Sequence, residues 1–247
     1  MFNGAVFPIP KISVIVLDTC SSLYEKQFGY LKVLAAHLVN SLSEHDLVVL
    51  LPVRCNGARL EPALVFNLPE KCELKRPVAA TPTAKALLMR LLKDLPRSHA
   101  DAAVMDQAAA LKLAFEQLRF GLEDYMQARN WNVPQSRLPV LSVHLVTRTG
   151  TVSEANGPAL LAAATGLQNE LLEWGRTLRG RAPRSSPVRP GGAILSVYLL
   201  AHEDNPYSFG INAKSDAYLK NLTKLQLNGP DKGVIVRSSH HSNILCF

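Results

Sequence analysis

The sequence lacks the features that mark several protein classes. Its four cysteines, Cys20, Cys55, Cys72 and Cys246, contain no Cys-x-x-Cys pair and have no regular spacing, so we expect reduced thiols rather than a disulfide framework. No run approaches about 18 consecutive apolar residues, and residues 1–8 have no basic segment followed by a long apolar one. The sequence therefore predicts neither a membrane span nor a secretion signal, and we expect a nuclear or cytoplasmic protein.

Motifs that bind nucleotides or activate a serine are also missing. No Gly-x-Gly-x-x-Gly or Gly-x-x-x-x-Gly-Lys-Ser/Thr pattern follows any predicted strand, and no Gly-x-Ser-x-Gly elbow is present. Nucleotide binding thus has no support in the sequence. A hydrolase that uses Asp18 and Ser22 remains only as a third hypothesis.

What is present is enough apolar sequence for a sizeable core and a moderate excess of positive charge. Apolar residues make up 47% of the 247 residues, and 27 Lys and Arg against 20 Asp and Glu give a net charge of +7. A chain of this length suits one large domain. The charge permits weak attraction to nucleic acid or acidic proteins but identifies no partner.

Strand-like apolar runs alternate with segments of helical periodicity along the chain. Strands are predicted at 12–17, 47–51 (stopped by Pro52), 63–66, 140–146, 193–200 and 233–236, and helices at about 22–42, from a Thr81 cap to before Pro96, at 102–127, at 157–178 and from 216. This alternation predicts an α/β three-layer sandwich, with a mostly parallel, Rossmann-type central sheet and one antiparallel edge strand. We expect a single domain over 1–237 and a flexible tail at 238–247.

Asp18 stands where the first predicted strand ends and a Ser-containing turn, Thr19-Cys20-Ser21-Ser22, leads into a helix. Strand carboxyl ends and helix amino ends converge there in open α/β folds, which is where such folds bind ligands. Asp18 is predicted either to ligate a cation or to cap the first helix, and capping is the commoner role of an acidic residue in this position.

This strand order, with an early ribbon and an acidic residue ending the first strand, resembles the von Willebrand factor A-like (vWA) family over about residues 12–237. In metal-binding members, an Asp-x-Ser-x-Ser motif, a Thr before a central helix and an Asp after the fourth strand hold a hard cation such as Mg²⁺. On this resemblance, Asp18 matches the Asp and Ser22 matches the second Ser.

The remaining positions of that motif depart from the family's pattern. Cys20 replaces the first Ser, 102–108 offers no matching Thr, and Thr147-Arg148-Thr149-Gly150 contains no Asp. A neutral thiol is a poor ligand for a hard cation, and Arg148 would add positive charge beside it. We therefore predict a degenerate metal site with Asp18 and Ser22 as its vestiges, and no metal or other cofactor.

Two groups within the family resemble this chain further. The tracts at 10–17, 57–60 and 109–115 resemble the vWA-like half of meiosis 1 associated proteins, and the Asp18-Thr19 pair resembles the first strand of the p34-type subunit of TFIIH. The cysteine-rich zinc module of the p34 type has no counterpart here. Both resemblances imply a nuclear scaffold protein and no enzymatic activity.

An arginine-rich segment is the strongest sequence signal for a partner other than protein. Five arginines, Arg176, Arg179, Arg181, Arg184 and Arg189, lie among Gly, Ser and Pro residues, which predicts a basic, mobile loop at about 179–191. Guanidinium groups pair well with phosphates, but a solvated loop without interleaved aromatics is the simpler interpretation.

Histidines provide two further candidates. His240 and His241 with Cys246 do not complete a four-ligand zinc set, and a frayed tail explains them. His144 alternates with apolar residues in a strand and is predicted to be a buried or half-buried structural residue.

The sequence thus predicts a non-catalytic protein–protein interaction or scaffold module in a nuclear complex, with meiosis, spermatogenesis or recombination as its setting. The alternative is a subunit of a DNA repair or transcription complex that contacts nucleic acid through the arginine-rich loop.

Overall fold

A computed structural model gives the fold. It describes residues 9–20, 25–56, 58–59, 76–97, 105–129, 138–148, 151–152, 155–178, 192–200, 217–225, 233 and 235–238, without the side chains of 176, 178 and 235–238.

Six strands of the described residues form one sheet in the order β3-β2-β1-β4-β5-β6. Their bounds are β1 (Lys11–Asp18), β2 (Leu47–Val53), β3 (Val78–Ala79), β4 (Val140–Arg148), β5 (Ile194–Leu200) and β6 (Ile235–Ser238). Only the β2–β3 pair is antiparallel. The predicted mostly parallel sheet with one antiparallel edge is therefore confirmed.

Helices cover both faces of the sheet. They are α1 (Glu25–Ser41), α2 (Pro82–Asp94), α3 (Gln107–Gln127) and α4 (Gly157–Leu178), and residues 217–222 are also helical. Because side chains alternate along a strand, Ile15 and Leu17 of β1 pack with α1 and α2, whereas Ile12, Val14 and Val16 pack with α3 and α4. Burial on both faces explains the continuous apolar run of β1.

Pro52 does not stop the second strand, contrary to the sequence prediction. β2 continues to Val53, and Pro52 pairs in register with Leu17. The carbonyl of Val53 accepts from Thr19 on the β1 side, so the missing N–H of the preceding Pro52 faces the other side. There β3 pairs only with Leu47 and Val48, and no ladder bond is lost.

The edge strand also differs from the predicted one. The described strand antiparallel to β2 is Val78–Ala79, which is too short to carry a periodic signal, and the predicted strand at 63–66 lies outside the described residues.

Helix boundaries follow their caps. The Thr81 cap is confirmed, because its hydroxyl accepts from the N–H of Ala84 and Pro82 opens α2. The third predicted helix begins at Gln107 rather than near 102, because the carboxylate of Asp106 caps it by accepting from the N–H of Ala109.

In the C-terminal third, one predicted helix is found and one boundary changes. Arg176 lies within the last turn of α4, inside the helix predicted at 157–178 and before the loop predicted at about 179–191. Ser238 belongs to β6 rather than to the predicted tail. Within the described part of the chain, no helix is long and apolar enough to cross a membrane.

Candidate functional site

The crevice between the carboxyl ends of β1 and β4 is the natural place for a site in this sheet. These strands are neighbours, yet the chain leaves β1 through α1 on one face and leaves β4 through α4 on the other. Strand order reverses at such a point, and the loops that diverge from it leave an open crevice. Asp18 ends β1 at this place.

Both carboxylate oxygens of Asp18 accept hydrogen bonds from within the protein. Its Oδ1 accepts from the N–H of Cys20 at 2.9 Å, and its Oδ2 accepts from the hydroxyl of Thr147 at 2.8 Å. The residue is 1% exposed. Asp18 therefore fastens the end of β1 to the end of β4, 129 positions along the chain.

The predicted helix-capping role of Asp18 would need N–H groups at the start of the first helix. Residues 21–24, which include Ser22, lie outside the described residues. Of the two described partners, Cys20 precedes α1 and Thr147 belongs to β4, so neither is an N–H donor of that helix.

Thr19 closes the crevice on the side of β2. Its N–H and its hydroxyl both donate to the carbonyl of Val53, at 3.1 and 2.9 Å. Thr19 is fully buried. The bonds extend the parallel ladder one residue beyond Asp18 and fix the direction in which the chain leaves the sheet.

Cys20 is a buried, protonated thiol. Burial raises its pKa well above the usual range, and the charge of Asp18 and a hydrogen bond with Cys55 raise it further. Both cysteines are free. A thiol held in this form is neither a nucleophile at neutral pH nor a ligand that suits a hard cation.

Asp106 also makes hydrogen bonds within the protein. Its backbone N–H donates to the carbonyl of Cys55 at 2.7 Å, and its Oδ1 caps α3. Among the described residues, no group of three or more His, Cys, Asp or Glu side chains is placed to hold a metal ion.

A cavity of about 410 Å³ opens beside the crevice, between the first turns of α3 and α4. We call it the carboxyl-edge cavity; its lining includes Asp106, Gln107, Ala108, Thr151, Asn156 and Ala159. The amino ends of both helices border it, which gives its wall a partial positive charge.

Gln107 marks the inner wall of the carboxyl-edge cavity. Its side chain is 4% exposed, its Nε2 donates to the hydroxyl of Thr151, and its Oε1 has no hydrogen-bond partner within the described residues. A buried, unpaired amide oxygen is costly. The wall therefore retains an acceptor that the fold does not use.

His144 lies away from this edge, on the face of β4 that α1 covers. The prediction of a buried or half-buried histidine is confirmed. Its Nε2 is 3.2 Å from the hydroxyl of Ser142, and its Nδ1 is 3.4 Å from that of Tyr198. Burial, with a smaller contribution from the charge of Lys11, lowers the pKa of His144 to about 4.

The structure thus places one of the predicted site residues, Asp18, at the crevice. Arg176 is at the other end of α4, and its side chain is outside the described part of the structure, as are Ser22, Arg179, Arg181, Arg184, Arg189, His240, His241 and Cys246. Thr147, Cys55 and Gln107 were not identified as site residues from the sequence. The only signal for Thr147 is its position at the end of a buried strand.

These features define the class of fold. The strand order, the antiparallel edge and the reversal between β1 and β4 are those of a vWA-like α/β domain. No protein-family model matches the chain, and no curated protein matches it in sequence.

Solved structures do resemble it. The conserved hypothetical protein BatB from Bacteroides thetaiotaomicron is 12% identical with a TM-score of 0.50, and the match covers 93% of this chain and 90% of that one. The TFIIH p34 N-terminal domain is 12% identical with a TM-score of 0.45, covering 93% and 91%. At this identity the likeness to BatB concerns the fold alone.

Proposed function

We propose that this chain is a non-catalytic, metal-independent protein–protein interaction module that holds a partner at its carboxyl edge. The observation that carries the proposal is the engagement of Asp18: both of its oxygens accept hydrogen bonds from the protein itself, from Cys20 and Thr147. Asp18, the residue predicted as a possible cation ligand, uses its carboxylate to join β1 to β4. The vWA-like framework remains and provides a rigid edge with a cavity.

The carboxyl-edge cavity supplies the surface for a partner. It is formed by elements that the core fixes, since Met105 and Leu160 in its lining are both buried. Ala159 lies in the lining and is exposed on α4. Partner binding at this point would use the positive end of two helices without a cation, and it favours a segment that carries negative charge.

The setting of the module is proposed as a nuclear complex active in meiosis. Support comes from the tracts at 10–17, 57–60 and 109–115, which resemble meiosis 1 associated proteins, and from the free thiols of Cys20 and Cys55, which suit a reducing compartment. Localisation of the tagged chain in meiotic cells tests this part separately.

The test of the interaction uses one blocking variant and one matched control. Ala159→Glu places a negative charge in the lining of the carboxyl-edge cavity, whereas Ala162→Glu places it on an exposed position of the same helix outside that lining. Partners recovered in stoichiometric amounts from the native cells should be lost with A159E, retained with A162E, and retained in EDTA. Loss on chelation, or equal recovery with both variants, contradicts the proposal.

A second function, contact with nucleic acid, is favoured by the position of Arg176. α4 begins at the carboxyl edge and ends at the opposite edge, so Arg176 in its last turn lies away from the crevice, and four further arginines follow it in the sequence. A nucleic acid held there would leave the carboxyl-edge cavity free. Salt-dependent binding tests this function independently of the first.

A further inference from the structure

A second cavity, of about 220 Å³, lies on the face of the sheet that α1 covers, toward the amino ends of the strands. We call it the amino-edge pocket. Its lining comprises Lys11, Ser13, Ile15, Leu38, Ser41, Leu42, Val140, Ser142, His144, Ile194 and Tyr198. It is separated from Asp18 by the length of β1 and has no part in the function proposed above.

The floor of the amino-edge pocket carries a connected polar network. Ser13 and Ser142 face each other in register on β1 and β4, and their hydroxyl oxygens are 2.9 Å apart. The hydroxyl of Ser142 also contacts Nε2 of His144, and Nδ1 of His144 contacts the hydroxyl of Tyr198 on β5, both within hydrogen-bond distance. Three adjacent strands thus bring four hydrogen-bonding side chains to one point.

This network is out of keeping with the rest of the same sheet face. Nearer the carboxyl ends, the corresponding positions are Leu17, Val146 and Leu200, which pack in an apolar core with α1 and α2. Polar side chains in such a layer cost free energy unless hydrogen bonds compensate them, and apolar residues would fill it at no such cost. The polar floor therefore calls for an explanation beyond packing.

Charge around the amino-edge pocket selects a class of ligand. Among the described residues that line the pocket, Lys11 is the only one charged at neutral pH, and none of them is acidic. Asp46, which lies nearby, is already bonded: its Oδ1 accepts from the backbone N–H of Lys11, and its Oδ2 accepts from the N–H and hydroxyl of Ser43. The Lys11 ammonium lies close enough to His144 to lower the pKa of that imidazole.

The remaining walls are apolar apart from Ser41, whose hydroxyl donates to the carbonyl of Leu38, and the space is small. Ile15, Leu38, Leu42, Val140 and Ile194 supply the walls. Ligand sites for drug-sized molecules begin at about 300 Å³, so the amino-edge pocket suits a smaller molecule.

We propose that the amino-edge pocket binds a small organic carboxylate with a short apolar chain. The Lys11 ammonium and the hydroxyls of Ser13, Ser142 and Tyr198 face the carboxylate, and the aliphatic walls receive the chain. The neutral imidazole of His144 holds the hydroxyls of Ser142 and Tyr198 in place and adds no competing charge.

Hexanoate, titrated into the protein at neutral pH, is the probe for this site. The readout is the NMR signal of the His144 ring, assigned by its loss in His144→Gln. We expect a saturable shift, with a dissociation constant in the millimolar range or below. A ring signal that does not move up to about 50 mM hexanoate, a concentration at which even binding worth about 2 kcal/mol is detected, overturns the proposal.

Variants and an analogue separate the charge from the apolar chain. Lys11→Met keeps most of the side-chain length without the charge, and Lys93→Met makes the same change on α2, outside the pocket lining. Lys11→Met should weaken hexanoate binding about fivefold, since a partly exposed ion pair contributes about 1 kcal/mol, and Lys93→Met should leave it unchanged. Binding of 1-hexanol as tight as that of hexanoate, or equal weakening by both variants, would contradict the assignment of an anion.

A further variant tests the polar floor without emptying the pocket. Tyr198→Phe keeps the ring and removes the hydroxyl that lies 3.4 Å from His144. We expect weaker hexanoate binding with circular dichroism unchanged. Full affinity in Tyr198→Phe together with full affinity in Ser142→Ala would show that the floor takes no part, and this result also rejects the proposal.

Discussion

Acidification should destabilise this protein through one residue, His144. Burial lowers the pKa of its imidazole from 6.5 to about 4 in the folded state. Between these values the unfolded chain takes up a proton on this side chain and the folded protein does not. The contribution to stability is therefore complete above about pH 6.5 and is lost progressively as the pH falls toward 4.

The size of the effect follows from the two pKa values. The whole difference corresponds to about 3 kcal/mol, and between about pH 7.5 and pH 5 the loss assigned to His144 is about 2 kcal/mol. A loss of about 2 kcal/mol is a substantial fraction of the free energy of unfolding of a typical single domain, which is about 5–15 kcal/mol. The main cause is desolvation, with a smaller contribution from the charge of Lys11. The described hydrogen-bonding partners of the ring are the hydroxyls of Ser142 and Tyr198.

Urea unfolding at the two pH values measures this loss. The free energy of unfolding should fall by about 2 kcal/mol more in the wild type than in His144→Gln, which keeps hydrogen-bonding groups but cannot titrate. His37→Gln changes an exposed imidazole on α1 and serves as the matched control. An NMR titration of the ring in the wild type gives the pKa directly and does not depend on the folding of any variant.

Two results would refute the reasoning. One is a His144 ring that titrates near its ordinary value of 6.5, which would mean that the site is hydrated. The other is an equal loss of stability on acidification in the wild type and in His144→Gln, which would assign the loss to other groups.

Three further changes test other parts of the structure. Asp18→Ala should lower the free energy of unfolding by about 2–4 kcal/mol, because it leaves the N–H of Cys20 and the hydroxyl of Thr147 unpaired in a buried place. Asp18→Asn should cost clearly less, because its Oδ1 can accept from the N–H of Cys20 and its Nδ2 can donate to the hydroxyl oxygen of Thr147; equal losses in urea unfolding would mean that these bonds do not matter. Thr81→Ala should lower the free energy of unfolding in urea by about 1 kcal/mol, because α2 loses its cap, and Thr81→Ser should stay near the wild-type value. Replacement of the five arginines at 176–189 by Ser should flatten the dependence of DNA affinity on salt, and an unchanged slope in a filter-binding or anisotropy assay would exclude the segment as a nucleic-acid contact.

The metal-site prediction illustrates how far sequence reasoning reaches. Cys20 in place of a serine is visible in the sequence and predicts a poor ligand for a hard cation. The partner of Asp18 is not visible, because Thr147 reaches it only through the parallel register that pairs Leu17 with Val146. The segment noted in the sequence only for its lack of an Asp thus contains the hydroxyl that donates to the carboxylate of Asp18.

Local patterns determined most of the elements of this protein. Short apolar runs indicated β1, β4 and β5, an apolar period of about 3.6 residues indicated helices, and a threonine followed by proline marked the start of α2. These signals are readable because each depends on neighbours within a few positions. Pro52 was wrongly predicted to end β2, and the short strand Val78–Ala79 was missed. Both depend on which side of β2 is paired, which no local pattern shows.

Tertiary structure alone decided what the polar residues do. The contact between Ser13 and Ser142 joins positions 129 apart in the chain, as does the bond between Asp18 and Thr147. Side-chain type and spacing carry no information on such pairs, since the order and register of the strands place them together. The sequence by itself thus determined a vWA-like α/β sheet with an acidic residue at the end of its first strand, and the packing of β1 against β4 made that residue a structural tie.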